Sequence, residues 1–240
     1  MNQQQLSEVG VVGVLCSGGL DSAILVGHLL AAGKHVQPFY IESQLYWQRA
    51  ELLALRRWLE AIRSPRLAEL VVLDLPLGDL YRGHWSVTGR SVPDDRSPDE
   101  AVFLPGRNAL LIVKAALWCQ LHAIGELALA TLATNPFGDS SDEFFGALER
   151  ALNLGGPAAL RIVRPMGHLT KQQVMQLGRA MPLERTFSCI APVNLEHCGR
   201  CNKCAERHVA FTAAGMHDPT VYAHPLRGPA TVATDRSHYR

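Results

Sequence analysis

Apolar and polar positions follow two rhythms along the first half of the chain. Residues 11–16 form a short unbroken apolar run, and Ile24, Leu25, Leu29 and Leu30 then recur at helical spacing until Gly33 offers a stop. Residues 35–41 are again strand-like. From 47 to 62, Leu52, Leu55, Leu59 and Ile62 fall on one helical face, with Arg49, Arg56, Arg57 and Glu60 elsewhere. Residues 70–73 read as a third strand, and the alternation predicts a parallel sheet flanked by helices.

From 76 to 105 the periodicity fades among Gly78, Gly83, Gly89, Pro93, Pro98 and Pro105, which predicts a long, partly mobile loop, either a lid or a disordered insertion. Order returns with an apolar helix over 109–124 and a fourth strand over 127–132. A helix over 142–152 follows, with Phe144, Phe145, Leu148 and Leu152 as its buried stripe. Residues 161–164 fit a fifth strand. Thr170 with Gln173 reads as a capping box opening a further helix. Beyond Asp218, Pro219, Pro225, Gly228 and Pro229 break any period and predict a surface-hugging or disordered tail. The expected organisation is an α/β domain over 10–185, a small cysteine-bearing subdomain over 186–216 and a tail over 217–240.

At 240 residues and 48% hydrophobic, the chain is long enough for one sizeable α/β core with an appendage. Lysine and arginine total 23 against 22 acidic residues, a net charge of +1 that provides no general field for nucleic acid or an anionic membrane. The N-terminus lacks a basic start with an apolar core, and no run reaches the ~20 apolar residues of a membrane helix, so a cytoplasmic protein is expected. A homodimer is the commonest closed assembly for such a chain.

Candidate chemistry begins where the first strand ends, in Ser17-Gly18-Gly19-Leu20-Asp21-Ser22. Glycines there let phosphate oxygens approach the main chain, and the free N–H groups and positive end of the following helix make an anion cradle suited to a di- or triphosphate. Ser17 and Ser22 add hydroxyls. Asp21, a carboxylate that would repel phosphate, is expected to cap the helix and help hold the Mg²⁺ that accompanies ATP. Neither Gly-x-Gly-x-x-Gly nor a Walker lysine is present. Cys16, at the strand end, reads as a small buried residue rather than a catalytic thiol. Lys171 could contact phosphate or lie solvated at its helix start.

Six cysteines are too few for a disulfide scaffold, and four of them, Cys189, Cys198, Cys201 and Cys204, are spaced C-x₈-C-x₂-C-x₂-C. That pattern suits a closed, structural Zn²⁺ site. An iron–sulfur cluster is the rival, but His208 stands near where its usual fourth cysteine would fall. His197 and His208 flank the site as surface or supporting residues.

The Ser-Gly-Gly-x-Asp-Ser turn after a first strand resembles the pyrophosphate loop of the N-type ATP pyrophosphatases. From about residue 10 to 215 the chain is similar in particular to the 7-cyano-7-deazaguanine synthases of queuosine precursor synthesis. The matches are the 17–22 loop, Pro105-Gly106-Arg107-Asn108, Phe137-Gly138-Asp139-Ser140-Ser141-Asp142-Glu143-Phe144, and Cys-Gly-x-Cys-x-x-Cys at 198–204. The resemblance implies a five-stranded adenine nucleotide alpha hydrolase-like fold with a Cys₄ zinc subdomain. It implies nucleotide binding by Leu15, Cys16, Ser17, Gly18, Gly19, Leu20, Asp21, Ser22 and Asn108, and catalysis by Asp21, Arg107 and Asp139. The implied reaction converts 7-carboxy-7-deazaguanine, a 7-deazapurine carboxylate, with ammonia and ATP into a nitrile. Four features depart from the family: its Tyr-Pro-Asp-Cys is here Phe-Gly-Asp-Ser, the preceding stretch 131–137 is shorter, Thr131-Leu132-Ala133 stands where the family usually shows Thr-Gly, and its Tyr-x-Gln-Arg-His is Tyr40-Ile-Glu-Ser-Gln44-Leu-Tyr46. A paralogue acting on another carboxylate, deazapurine derivative or tRNA stands as the alternative.

Overall fold

The computed structural model describes residues 10–132 and 135–227. Strands β1 (Val11–Leu15), β2 (His35–Glu42), β3 (Val71–Asp74), β4 (Glu126–Ala128) and β5 (Arg161–Val163) form one sheet in the order β3-β2-β1-β4-β5. All four pairings are parallel. The central strand β1 is covered on both faces, so its residues are apolar without interruption. Gly13 is the exception because a Cβ there would lie 2.9 Å from both Cys119 Sγ and a Phe39 ring carbon.

Helices α1 (Leu20–Ala31), α2 (Gln48–Ala61), α6 (Lys171–Leu177) and α7 (Asn202–Ala213) bury Leu25, Trp58, Met175 and Phe211 against one face of the sheet. Helices α4 (Arg107–Leu121) and α5 (Asp142–Gly155) bury Ile112, Ala116 and Phe145 against the other. The chain steps outward from β1 through β2 to β3, returns, and steps outward the opposite way through β4 to β5. Right-handed crossovers then require helices on opposite faces, as found.

Strand β4 is shorter than the apolar run predicts. After Leu129 N–H donates to Val163 O (2.9 Å), the chain leaves the sheet, and residues 129–132 line a cavity instead.

The 76–105 segment differs from expectation more sharply. It carries a short helix α3 (Trp85–Thr88) and a 3₁₀ turn, and it buries Leu77, Tyr81 and Leu104 in a third core with Phe187, Ile190 and the four clustered cysteines. Backbone bonds from Asn202 N–H to Pro93 O (3.0 Å) and Asp95 N–H to Arg200 O (3.0 Å) tie it to the cysteine lobe. Its apolar residues have no period because their partners lie some hundred positions away. Residues 217–227 also lie on this lobe, where Ala223 N–H donates to His197 O and Arg207 Nε to Thr220 Oγ1. The remainder of the expected tail, 228–240, lies outside the described residues. No helix among the described residues is long and apolar enough to cross a membrane.

Candidate functional site

Strand order reverses between β1 and β4, and a cavity of about 620 Å³ opens at the carboxyl ends of those strands, where ligands of open α/β sheets bind. Of the expected nucleotide-binding residues, Leu15, Cys16, Ser17, Asp21, Ser22 and Asn108 line it, as does Arg107. Gly18, Gly19 and Leu20 shape the loop from behind.

Gly18 has φ +75°, while Gly19 is extended at φ −75° and ψ 171°, so the conformational demand falls on Gly18 alone. The loop is cross-braced. Ser22 Oγ accepts from Ser17 N–H (3.2 Å) and donates to Gly19 O (3.3 Å), and Phe187 N–H donates to Gly18 O from outside (2.7 Å). No side chain caps α1, whose N-cap is Gly19. The N–H groups of its first turn therefore face the cavity end without an intrahelical acceptor.

Asp21 is accordingly not a cap. It stands inside the first turn, and both its carboxylate oxygens accept from Lys171 Nζ, at 2.7 and 2.8 Å. Lys171 opens α6 behind the Thr170–Gln173 capping box and lines the cavity. Helix α7 supplies a further wall through Lys203, Glu206, Val209, Ala210 and Ala213, spaced to share one helical face. Lys203 Nζ donates to Glu206 Oε2 at 2.5 Å. The cysteine lobe thus builds part of the cavity.

At the other end, Asn108 Nδ2 donates to Asp139 O (3.1 Å), drawing the Asp139 turn onto the start of α4. Asp139 does not line the cavity. Burial raises its carboxyl above the usual range, and Oδ1 has no hydrogen-bond partner among the described residues. Arg107 Nε and Thr131 Oγ1, both on cavity-lining residues, are likewise buried with no partner among the described residues. Such atoms are costly unless a ligand satisfies them. Phe137, in the wall, stacks on Phe103 at 4.9 Å.

One cavity residue belongs to none of the sequence motifs. Glu51, on α2, is buried, and its Oε2 accepts from Tyr40 OH at 2.7 Å. Burial pushes its carboxyl up to about 7, against the pull of Arg107 and the Tyr40 bond, and the same burial raises Tyr40. The signal was a charge on an apolar stripe, because Glu51, Leu55 and Trp58 share the buried face of α2. Cys16 is buried, and desolvation lifts its thiol to about 12, which excludes a thiolate nucleophile at neutral pH.

The four clustered cysteines are free and buried, with all Sγ atoms within 4.8 Å of one another. The Cys189–Cys201 and Cys198–Cys204 sulfur separations are 3.8 and 3.9 Å, matching the tetrahedral edge of about 3.8 Å that follows from bonds of ~2.3 Å to one ion. Backbone N–H groups of Ala191 and Cys198 point at Cys189 Sγ, and those of Arg200 and Cys201 at Cys198 Sγ, each at 3.3 Å. These bonds stabilise thiolate charge. His197 is buried, accepts from Ser188 N–H at 3.1 Å and packs on Phe187, while exposed His208 pairs with Asp218.

A family model described as queuosine biosynthesis protein QueC matches residues 11–215. A Thiobacillus denitrificans protein named 7-cyano-7-deazaguanine synthase is 33% identical over 225 residues, covering 88% of this chain and 97% of that one. A protein of the same name from Methanothermobacter thermautotrophicus is 28% identical over 221 residues, covering 87% and 97%. Among solved structures, a 4-thiouridine synthetase–RNA complex with bound ATP gives a TM-score of 0.48 at 14% identity, over 86% of this chain and 50% of that one.

Proposed function

The chain belongs to the QueC family of queuosine biosynthesis proteins, and from that premise we propose that it converts 7-carboxy-7-deazaguanine and ammonia to 7-cyano-7-deazaguanine at the expense of ATP. The observation that carries this reading is the two-ended cavity. One end offers helix N–H groups that no described side chain caps, and the other offers Arg107 Nε and Thr131 Oγ1, buried and without a partner among the described residues.

A carboxylate resists ammonia because its leaving group would be oxide. ATP supplies the remedy by converting that oxygen into part of a phosphate leaving group, as a mixed anhydride on the acid and again on the amide oxygen before dehydration. The protein's task is positioning and electrostatics. Ser17, Ser22 and the first turn of α1 hold the phosphates, and Lys171 and Arg107 supply positive charge where it builds up. Asp21 would hold Mg²⁺ when nucleotide is bound, with Lys171 then free to donate to phosphate. Asn108 draws the Asp139 turn onto the start of α4 and so holds the Phe137 wall in place, while Asp139 itself stands outside the cavity. Cys189, Cys198, Cys201 and Cys204 hold Zn²⁺ as a structural ion that fixes α7 against the cavity. We read the protein as a cytoplasmic enzyme, without nucleic-acid partners, that assembles as a homodimer.

The test is incubation with Mg²⁺, ATP, ammonium and 7-carboxy-7-deazaguanine, followed by mass spectrometry. Nitrile, preceded by amide, is the expected result. ATP binding without either product would overturn the assignment in favour of a different carboxylate substrate.

A further inference from the structure

Glu51 is a buried carboxylate in the cavity wall that accepts from the Tyr40 hydroxyl at 2.7 Å, with the Trp47 side chain as a second neutral donor beside it. Among the described residues it takes part in no ion pair within 4 Å. Its main chain and Cγ lie behind Gly18, at 3.1 and 3.6 Å from where a Cβ on that residue would stand, so the carboxylate emerges beside the phosphate loop. Titratable and charged groups facing it are Tyr40 on β2 and Arg107 at the start of α4, with Glu42 further along β2. A buried charge without a contacting cation calls for a proton or a small cation.

We propose that Glu51 binds the ammonium ion and accepts its proton during amide formation. This deepens the proposed function and rests on it for the reaction. Ammonium transfers one proton to the Glu51 carboxylate. The freed nitrogen lone pair forms the C–N bond to the activated carboxyl carbon, and the acyl C–O bond of the mixed anhydride breaks, its electron pair leaving on the phosphate. That phosphate takes the second proton lost by nitrogen, so amide, protonated Glu51 and the protonated phosphate leaving group balance the reactants. Tyr40 donates to Oε2 throughout.

The reading predicts that kcat/KM for ammonium rises with pH through about 7, the range to which burial lifts Glu51. Glu51→Gln should lower kcat/KM for ammonium by about a hundredfold or more and abolish that limb, the scale of a lost general base. Its Mg-ATP dissociation constant, read by calorimetry, should change less than about threefold. Tyr40→Phe removes a bond that holds the carboxyl down and should move the limb to higher pH. Thallium(I), an ammonium-sized cation located by anomalous scattering in crystals, should bind beside Glu51 in the wild type and not in Glu51→Gln.

The proposal is overturned if Glu51→Gln keeps its ammonium kcat/KM and pH limb within threefold, or if thallium avoids Glu51 in the wild type. Wild-type enzyme that makes neither amide nor nitrile yet binds thallium at Glu51 would instead overturn the substrate assignment and support the cation site.

Discussion

Phe187 donates its backbone N–H to Gly18 O across 2.7 Å, two residues before Cys189, the first cysteine of the cluster. The segment that enters the sulfur cage therefore also braces the phosphate loop. Helix α7 makes the same connection a second way, since Cys201 is its N-cap and Cys204 lies in its first turn, while Lys203 and Glu206 face the cavity.

Metal removal should therefore cost nucleotide binding as well as stability. A structural ion of this kind contributes on the order of 10 kcal/mol to the fold it closes. Cys201→Ser should lose most of its bound metal and weaken Mg-ATP binding by about tenfold or more. Metal analysis and calorimetry on the same sample check this, and full ATP affinity in metal-free protein would refute the coupling.

Lys171 and Asp21 should separate binding from stability. Their side chains are 26% and 31% exposed, so the pair adds only about 0–1 kcal/mol to folding. A charged hydrogen bond to phosphate is worth about 1.5–3 kcal/mol, so Lys171→Ala should weaken Mg-ATP binding roughly tenfold to a hundredfold. Thermal melting of the free protein should barely move. The contrary pattern, a large loss of stability with intact affinity, would make the pair structural.

The two loop glycines should respond differently. Gly18→Ala forces a side chain to φ +75°, a cost of about 1–2 kcal/mol, with its Cβ 3.1 Å from Glu51 O. Gly19→Ala meets nothing nearer than Ser17 Oγ at 3.4 Å and keeps an ordinary φ. Denaturant titration should show the first variant destabilised and the second within about 0.5 kcal/mol of wild type.

Arg207 is 1% exposed and donates to Thr186 Oγ1, Ser188 Oγ, Leu183 O and Thr220 Oγ1. Arg207→Met keeps the apolar stem but strands those acceptors and should destabilise by about 2–4 kcal/mol. Arg207→Lys should not restore the loss, because an ammonium cannot reproduce the planar fork. Chemical denaturation measures both.

Glu51 should leave a signature in stability against pH. Its carboxyl is raised to about 7 in the fold from an ordinary 4.5, so between those values the native state holds the extra proton. Stability contributed there is present below about 4.5 and is lost as pH rises through 7, by up to on the order of 3 kcal/mol. Glu51→Gln should therefore gain on the wild type progressively from pH 5 to 8. An unchanged difference across that window would contradict the burial of an ionisable Glu51.

Much of this was legible along the chain. The apolar run of β1, the Ser17–Gly18–Gly19 turn, the Thr170 capping box and the cysteine spacing are local patterns, and each is set by interactions within a few residues. Local sequence suggests a cap at Asp21, whereas its actual partner, Lys171, lies 150 positions away. The order of segment 76–105 likewise depends on distant partners. The place of Glu51 on the apolar stripe of α2 is visible in the sequence, but what it faces is not.

By itself, then, the amino-acid order determined the strand–helix alternation, the parallel sheet, the glycine turn and the sulfur cluster, since backbone angles, side-chain period and ligand spacing are short-range properties. Only the tertiary structure decided that α7 walls the cavity, that Asp139 stands outside its lining, and that Glu51 lines it beside Tyr40. Those relationships depend on which distant surfaces exclude water together, and no spacing along the chain encodes that packing directly.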